Sequence, residues 1–509
     1  MCGVFLMQNN KYYNEKNELN IGLSCNIEKN IAVINDIFSD CNDIVKKEFI
    51  IERNNGNFKI FIVYIDGLTD NEMVEETIVK PITIEWHDSN IDDIWRQIYY
   101  KEAQTVDISE TESFDKSVLS ILKGDTAMYV DGYDKAMVIS TKKLPLRAIG
   151  NQDSETTLRG PRDNFNEGLR QSTALIRRRI RDPKLKVYQG IIGQRSKTDY
   201  AIMYLEDIVD INLVNKIKER LDRYDTDAIF DSGMAEHLLE DNKFRLFPSF
   251  QSTTRPDKVA SGIVEGRVAI VFDNSPEVIV APATLNMMMQ ASDDYYNGWL
   301  VGTFARCLRY MAAFFSIALP GFYIAATVFH DEIIPEKLLY AIASARSMVT
   351  FSTIVEILIM ELFFELLREA GIRLPGPLGN TIGIVGGLIV GQAAVDAGIV
   401  STIVVIVVAL TAISSFSIPN EVFASVFRLF KFVIIASSAM FGLYGFFISL
   451  LCIGVYMSGL ESFGVPFLSP IVNNESFKDF VIRAPIKTLF LRPFWVNRKE
   501  KIRLRKREK

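Results

Sequence analysis

The sequence predicts a multi-domain membrane protein, with a duplicated α/β cytoplasmic head followed by an α-helical transmembrane domain. Three observations carry that prediction. At about Trp299, roughly three hundred residues of mixed, charged sequence give way to about 160 residues dominated by Leu, Ile, Val, Phe, Ala and Gly. Strings in the first part match one another at an offset of about 140 residues, as duplicated subdomains do. A dense basic cluster from Arg492 to Lys509 follows the apolar region directly, which under the positive-inside rule marks a cytoplasmic flank.

The 509 residues carry a net charge of −6, which argues against a nucleic-acid partner. The five cysteines, Cys2, Cys25, Cys41, Cys307 and Cys452, show no CxxC and no even spacing, so neither a disulfide framework nor a zinc site is expected. The first residues lack the basic and apolar runs of a signal peptide, which leaves the head on the cytoplasmic side. An N-terminal extension is assigned to residues 1–55, a first α/β subdomain to 56–150 and a linker helix region to 151–186. A second α/β subdomain follows over 187–295, a helical transmembrane domain over 296–460 and a basic cytoplasmic tail over 461–509.

The repeat is explicit. Aligning Tyr64 with Tyr204 pairs Ile62 with Ile202, Asp66 with Glu206 and Asp70 with Asp210, and GDTAMYVDGYDKAMVI from Gly124 matches GRVAIVFDNSPEVIVA from Gly266. Each copy reads as a strand, a helix (Asn71 to Ile78; Ile211 to Leu221), a second helical stretch and a β-hairpin. The hairpins turn at Asp131-Gly132 and at Asp273 to Pro276. Between the copies, Leu169, Thr173, Ile176 and Ile180 make one helical face, with Arg177, Arg178, Arg179 and Arg181 around it. These arginines are candidates either for contacts with a partner or anionic lipid, or for a solvated face paired with nearby carboxylates. Strand-end acids such as Asp66 and Glu206 read as caps or turn formers before ligand sites.

No catalytic constellation is visible. The three histidines, His87, His237 and His330, are far apart, no GxSxG, HExxH or P-loop string occurs, and neither a metal site nor a cofactor is expected. The chain is therefore not expected to be an enzyme.

Hydropathy offers five candidate spans against the ~20 residues a crossing needs: Leu308 to Phe329, Phe351 to Leu367, Thr381 to Val395, Ile399 to Phe416 and Phe432 to Tyr456. A cytoplasmic head and tail require an even number of crossings. One segment is then re-entrant or interfacial, either the Gly-rich one from Thr381 or Phe351 to Leu367. The latter carries Glu356, Glu361 and Glu365 in an apolar run, with Glu361 and Glu365 on one face and Glu356 off it. They are candidates for an ion pathway, or for buried pairs with Arg306, Arg309 or Arg368. Gly383, Gly387 and Gly391 recur every four residues, a candidate stripe for helix packing or gating. Glu421, Arg428 and Lys431 decorate an amphipathic stretch from Pro419 that suits a membrane interface.

Several strings together carry a family resemblance: GPRDNFNEGLRQSTALIRRRIRDPKLK, DSGMAEHLLEDNKFRLFPSFQSTTRPDKVASGIVEGRVAI, FHDEIIPEKLL, MELFFELLREAGIRLP, IGIVGGLIVGQAAVDAGIVS and SFGVPFLSP. In this order they resemble the GerA family, the A subunits of bacterial spore germinant receptors, from about Phe61 to Pro485. The chain departs from that pattern at Thr350 and Ser352, where the family commonly has prolines. The resemblance implies a place in the spore inner membrane, head and tail toward the spore core, and a complex with a transporter-like B subunit and a lipoprotein C subunit. It further implies a homo-oligomeric ring of A subunits, gated by nutrient bound on a partner and conducting monovalent cations. A non-conducting scaffold that couples B and C subunits to downstream release is the alternative.

Overall fold

In strands of the head, apolar side chains alternate between two faces, and this alternation sets its layers. In the computed structural model of the chain, the described residues are 19, 21–51, 58–81, 95, 107–143, 155, 159–240, 245–373, 389–469, 471, 479–488 and 492. They fall into two compact units. The first takes in the chain up to Asp241 together with Phe250–Pro282, and the second Asn242–Ser249 with Ala283–Leu489.

The first unit holds two five-stranded antiparallel sheets of the same topology. One has the order β1-β2-β4-β5-β3, built from Ile44–Ile51, Phe58–Ile65, Ile108–Thr111 (β3), Thr126–Val130 (β4) and Ala136–Ile139 (β5). The other has the order β6-β7-β9-β10-β8, built from Leu185–Ile192, Thr198–Leu205, Gln251–Thr253 (β8), Val268–Phe272 (β9) and Val278–Ala281 (β10). The register repeats too: Ile62 lies opposite Met128 in the first sheet, and Ile202 opposite Ile270 in the second.

In β2, Phe61, Val63 and Ile65 face a core shared with helix α1 (Ile27–Ile37), while Ile60, Ile62 and Tyr64 face a second one. Residues 27–51 are therefore part of the first sheet and its core. The assignment of residues 1–55 to an extension is corrected here: α1 buries Ile27, Ile31, Ile34 and Ile37 at helical spacing, and β1 pairs with β2 along its whole length. In both copies the helix after the second strand, α2 (Asn71–Val74) and α5 (Ile211–Asp222), starts at an aspartate. Asp70 and Asp210 accept the N–H of Glu72 and Asn212 and are the N-caps, whereas the strand-end acids Asp66 and Glu206 pair with Arg170 at 3.1 Å and Lys186 at 3.3 Å. The remaining head helices are α3 (Phe114–Leu122), α4 (Leu169–Arg179), α6 (Ser232–Leu239) and α7 (Pro256–Val264).

The second unit is helical: α8 (Leu285–Met289), α9 (Asp293–Tyr296), α10 (Trp299–Ile324, continuing to Phe329), α11 (Glu336–Ala345), α12 (Thr353–Arg373), α13 (389–396), α14 (Thr402–Phe416) and α15 (Glu421–Ser458). Two of these elements are long and apolar enough to cross a membrane, Trp299–Phe329 with 31 residues and Glu421–Ser458 with 38. The segment expected as one span from Phe432 to Tyr456 is not a straight helix. Gly442 breaks it at φ 61°, ψ −137°, a conformation that favours glycine.

The chain doubles back at that point. Phe430 and Tyr456 have ring centroids 6.2 Å apart, whereas a straight helix would separate them by about 39 Å. α15 is thus a helical hairpin with arms 421–441 and 443–458, and a Cβ on Gly442 would meet Phe329 Cβ at 2.9 Å. The first arm also lies close to α10: a Cβ on Gly321 would meet Ile434 Cγ2 at 2.6 Å.

The tail expected from residue 461 starts inside this unit, with a short ladder of β11 (Glu461–Ser462) and β12 (Val465–Pro466) and with Asp479 and Arg483 paired to it. Residues 493–509 lie outside the described ones, as do Gly383 and Gly387.

Candidate functional site

The carboxylates of α12 are held by cations from two other segments. Glu361 (1% exposed) pairs with the Lys431 ammonium (4% exposed) on the first arm of α15. Lys431 also reaches Glu365 at 3.3 Å, and Arg428 approaches Glu365 at 3.6 Å. Arg368 binds Glu421 at 3.3 Å. The order of these contacts makes α12 antiparallel to the first arm. Lys431, one of the charges on the amphipathic stretch from Pro419, is buried and turned inward to the two glutamates.

Glu356 lies apart, as its helical position predicts. It is fully buried, accepts the Ser401 N–H at 2.8 Å and has Arg346 Nε 3.3 Å from its other oxygen. Ser401 is the N-cap of α14, so one carboxylate ties α12 to the start of α14. Oε1 of Glu356 and of Glu361 accepts no hydrogen bond among the described residues, which leaves each network incompletely satisfied.

The arginines expected as partners for these glutamates are engaged elsewhere. Arg306, fully buried, binds Asp294 at 3.1 Å and Asp479 at 2.8 Å, with its guanidinium over the Tyr295 ring. Arg309 grips both oxygens of Asp294 at 2.8 and 3.1 Å. They sit at the start of α10, close in sequence to Asp294, while the α12 glutamates pack farther along the bundle. Arg346 and Lys431 hold the carboxylates instead, and the only sequence signal for either was Lys431 itself, a cation at the mouth of an apolar run.

In the head, Arg177 serves neither a partner nor solvent. It is fully buried and forms a bidentate pair with Asp43 at 2.7 and 3.0 Å, joining α4 to the segment before β1. Arg179 pairs with Asp163 at 2.5 Å, and Arg178 is exposed. Next to Arg177, burial pushes the Cys41 thiol up, and Cys41 forms a bridge to Val187 of β6. Lys186 donates to the Ser39 carbonyl at 2.8 Å, so the two copies meet through a polar, buried joint.

The second copy also holds Glu236 on α6, whose carboxyl is pushed up to about 7 by burial. The Ser252 hydroxyl of β8 donates to it, and Glu277, Glu240 and Asp231 add like charge around it. Among the described residues no group of three or more His, Cys, Asp or Glu side chains is arranged to hold a metal. Gly391, the described member of the glycine stripe, would bring a Cβ only to ordinary contact with Val405 at 3.4 Å; the close helix approach falls at Gly321.

Residues 32–494 match the GerA family, described as the Bacillus/Clostridium GerA spore germination protein. The chain belongs to the GerA family. It is 38% identical to spore germination protein KA of Bacillus subtilis (strain 168), over 96% of this chain and 90% of that one. It is 37% identical to the membrane protein YfkQ of the same organism, over 92% and 91%. With spore germination protein GerLA of Bacillus cereus it shares 35%, over 94% and 97%. A solved structure, the N-terminal domain of the A subunit of the Bacillus megaterium spore germinant receptor GerK3, matches 52% of this GerA-family chain and 98% of that chain at 28% identity, with a TM-score of 0.42.

Proposed function

We propose that this GerA-family chain is the A subunit of a nutrient germinant receptor in the spore inner membrane, where it forms an oligomer that conducts monovalent cations when germinant binds. Membership of the family over nearly the whole chain supports the germination role, and several relatives bear that function in their names. A membrane location is supported by the name of a relative at 37% identity and by the two long apolar elements. The arms of the hairpin, about 32 and 24 Å long at 1.5 Å per residue, compare with a hydrocarbon core of about 30 Å.

The observation that carries the conducting part is the Glu361, Glu365 and Lys431 network in an otherwise apolar helical unit. Intramembrane carboxylates are costly and are retained where charge must pass. Lys431 acts in this reading as a tethered cation: it neutralises both glutamates in the resting subunit, and a shift of α12 against the first arm releases them to permeant ions. Glu365, at 29% side-chain exposure, is the member most open to such an ion. Gly383, Gly387 and Gly391 are proposed to let the segment they belong to move during that shift. Partners are a transporter-like B subunit, which binds the nutrient, and a lipoprotein C subunit; the role is a receptor's and not an enzyme's.

A second reading, a non-conducting scaffold that couples B and C subunits, draws on the same network, because each of the three carboxylates has a cationic partner within one subunit. Cation flux through liposomes separates the two. Flux that requires this chain, its partners and germinant supports conduction. Absence of flux in liposomes where the complex binds germinant leaves the scaffold.

A further inference from the structure

The charged cluster at the start of α10 lies wholly within the helical unit, and its donors outnumber its acceptors. Arg306 is fully buried and Arg483 is 3% exposed. Their guanidiniums share one aromatic ring, 5.1 and 5.6 Å from the Tyr295 centroid. Arg309 completes the cationic side, and Asp294 and Asp479 are the carboxylates that face it.

Every carboxylate oxygen in the cluster is already taken. Asp294 Oδ1 accepts from Arg309, and its Oδ2 accepts from Arg306, from Arg309 and from the Ala291 N–H. Asp479 Oδ1 accepts from Arg306 at 2.8 Å, and its Oδ2 accepts from the Tyr295 hydroxyl at 2.9 Å. Arg483 meets no carboxylate among the described residues: it donates to the carbonyls of Asn297 and Tyr295 at 2.7 and 3.1 Å. Two buried donors, Nη2 of Arg306 and Nε of Arg483, are left with no acceptor among the described residues. A buried donor without a partner bears its full desolvation cost. Three guanidiniums set against two carboxylates also leave one positive charge to be balanced in a buried place.

What the cluster lacks is an acceptor that carries negative charge and several lone pairs. A phosphate group has that chemistry, since its oxygens accept from guanidinium forks in parallel. The setting argues for a lipid as its source. Trp299, Leu300, Val301 and Phe304 are exposed on the first turns of α10, and Ile482 is exposed beside Arg483. An exposed tryptophan followed by exposed apolar residues suits a helix that enters a bilayer at an aromatic belt. The element from Trp299 to Phe329 has 31 residues, about 46 Å at 1.5 Å per residue, against a hydrocarbon core of about 30 Å. Its end turns reach the headgroup layer, the depth at which lipid phosphates lie.

We propose that Arg306 and Arg483 form an anion site that takes the phosphate of an anionic phospholipid headgroup where α10 enters the membrane. Asp294 and Asp479 position Arg306, and the Thr303 hydroxyl, which accepts the Arg483 N–H at 3.2 Å, holds the segment that carries Arg483 against α10. The proposal rests on the membrane location in the receptor reading and is independent of whether the chain conducts.

The thermal midpoint of the purified full-length chain in neutral-detergent micelles tests the site, titrated with phosphatidylglycerol, phosphatidylcholine or inorganic phosphate. A salt concentration of about 1 M, where the Debye length is about 3 Å, suppresses binding to exposed charges such as those of the basic tail. Phosphatidylglycerol is expected to raise the midpoint saturably. Arg483→Met is expected to weaken that binding by about tenfold to a hundredfold, the range of a hydrogen bond to a charged group. Arg483→Lys, which keeps the charge and loses the fork, falls between, and Lys487→Met, which removes an exposed cation, leaves binding unchanged. Equal binding by wild type, Arg483→Lys and Arg483→Met overturns the site. If Arg483→Met does not fold, the wild-type chain decides: a midpoint that neither lipid nor phosphate moves overturns the site, and so does an equal response to phosphatidylcholine, which has no net charge. Inorganic phosphate that raises the midpoint and displaces phosphatidylglycerol upholds the anion site and overturns its lipid source. Selective, Arg483-dependent lipid binding by a chain whose deletion leaves germination intact upholds the site and removes the receptor reading.

Discussion

Lys431 shows at the scale of one residue how a buried charge specifies a neighbour. Replacing it by Met leaves Glu361 without its partner at 1% exposure, an uncompensated buried charge worth about 3–5 kcal/mol of destabilisation. Adding Glu361→Gln to that variant is expected to restore most of the loss, read as the thermal midpoint of the purified chain in micelles. Glu361→Gln with Glu365→Gln tests function instead. Conduction predicts that germination and ion release fall while protein level holds; normal release at normal level makes the carboxylates structural. Glu236 supplies a pH dependence in the head. Its folded value is raised to about 7 from an ordinary 4.5, so the folded state keeps a proton that the unfolded chain gives up, and the stabilisation present below about pH 4.5 is lost as pH rises through 7. The difference in thermal midpoint between pH 5.5 and pH 7.5 is expected to shrink in Glu236→Gln, the sign being greater wild-type stability at the lower pH.

Among the elements, the α15 hairpin depends on one backbone conformation. Gly442→Ala introduces a strained left-handed residue and drives a Cβ to 2.9 Å from Phe329. The strain alone is worth about 1–3 kcal/mol, and the substitution is expected to lower the amount of folded protein and to expose the 443–458 arm to protease. No comparable effect is expected for Gly391→Ala, where the nearest atom is 3.4 Å away. Hydropathy could locate the apolar stretch but not the turn in it, because a glycine among Phe, Ala and Leu reads the same whether it packs two helices or reverses one chain. The glycine stripe illustrates the converse. Its spacing drew notice, while the glycine that admits close helix approach, Gly321, stands alone in sequence without a periodic partner.

Across the whole molecule, the duplicated head is joined through Arg177 and Asp43, buried at 0% and 3%. Arg177→Met is expected to loosen the joint between the copies, with proteolysis of the head accelerated and the helical unit unaffected. The repeat itself was legible because Ile62 and Ile202, and the turns after β4 and β9, keep their spacing. The strands β1, β3, β6 and β8 escaped notice because edge strands carry mixed sequences such as IVKKEFII and ISET, with no clean alternation.

The amino-acid sequence by itself determined the change of solvent near Trp299, the duplication, the family and the presence of charges that an apolar region must neutralise. These follow from composition, spacing and motif, which are local. Only the tertiary structure decided which charges meet. Arg306 and Arg309 turn to Asp294 and Asp479, Lys431 and Arg346 hold the α12 glutamates, and Phe247 packs against both arms of a hairpin within the helical unit. Partner choice across seventy or two hundred residues depends on how the helices stack, and no periodicity in the chain encodes that directly.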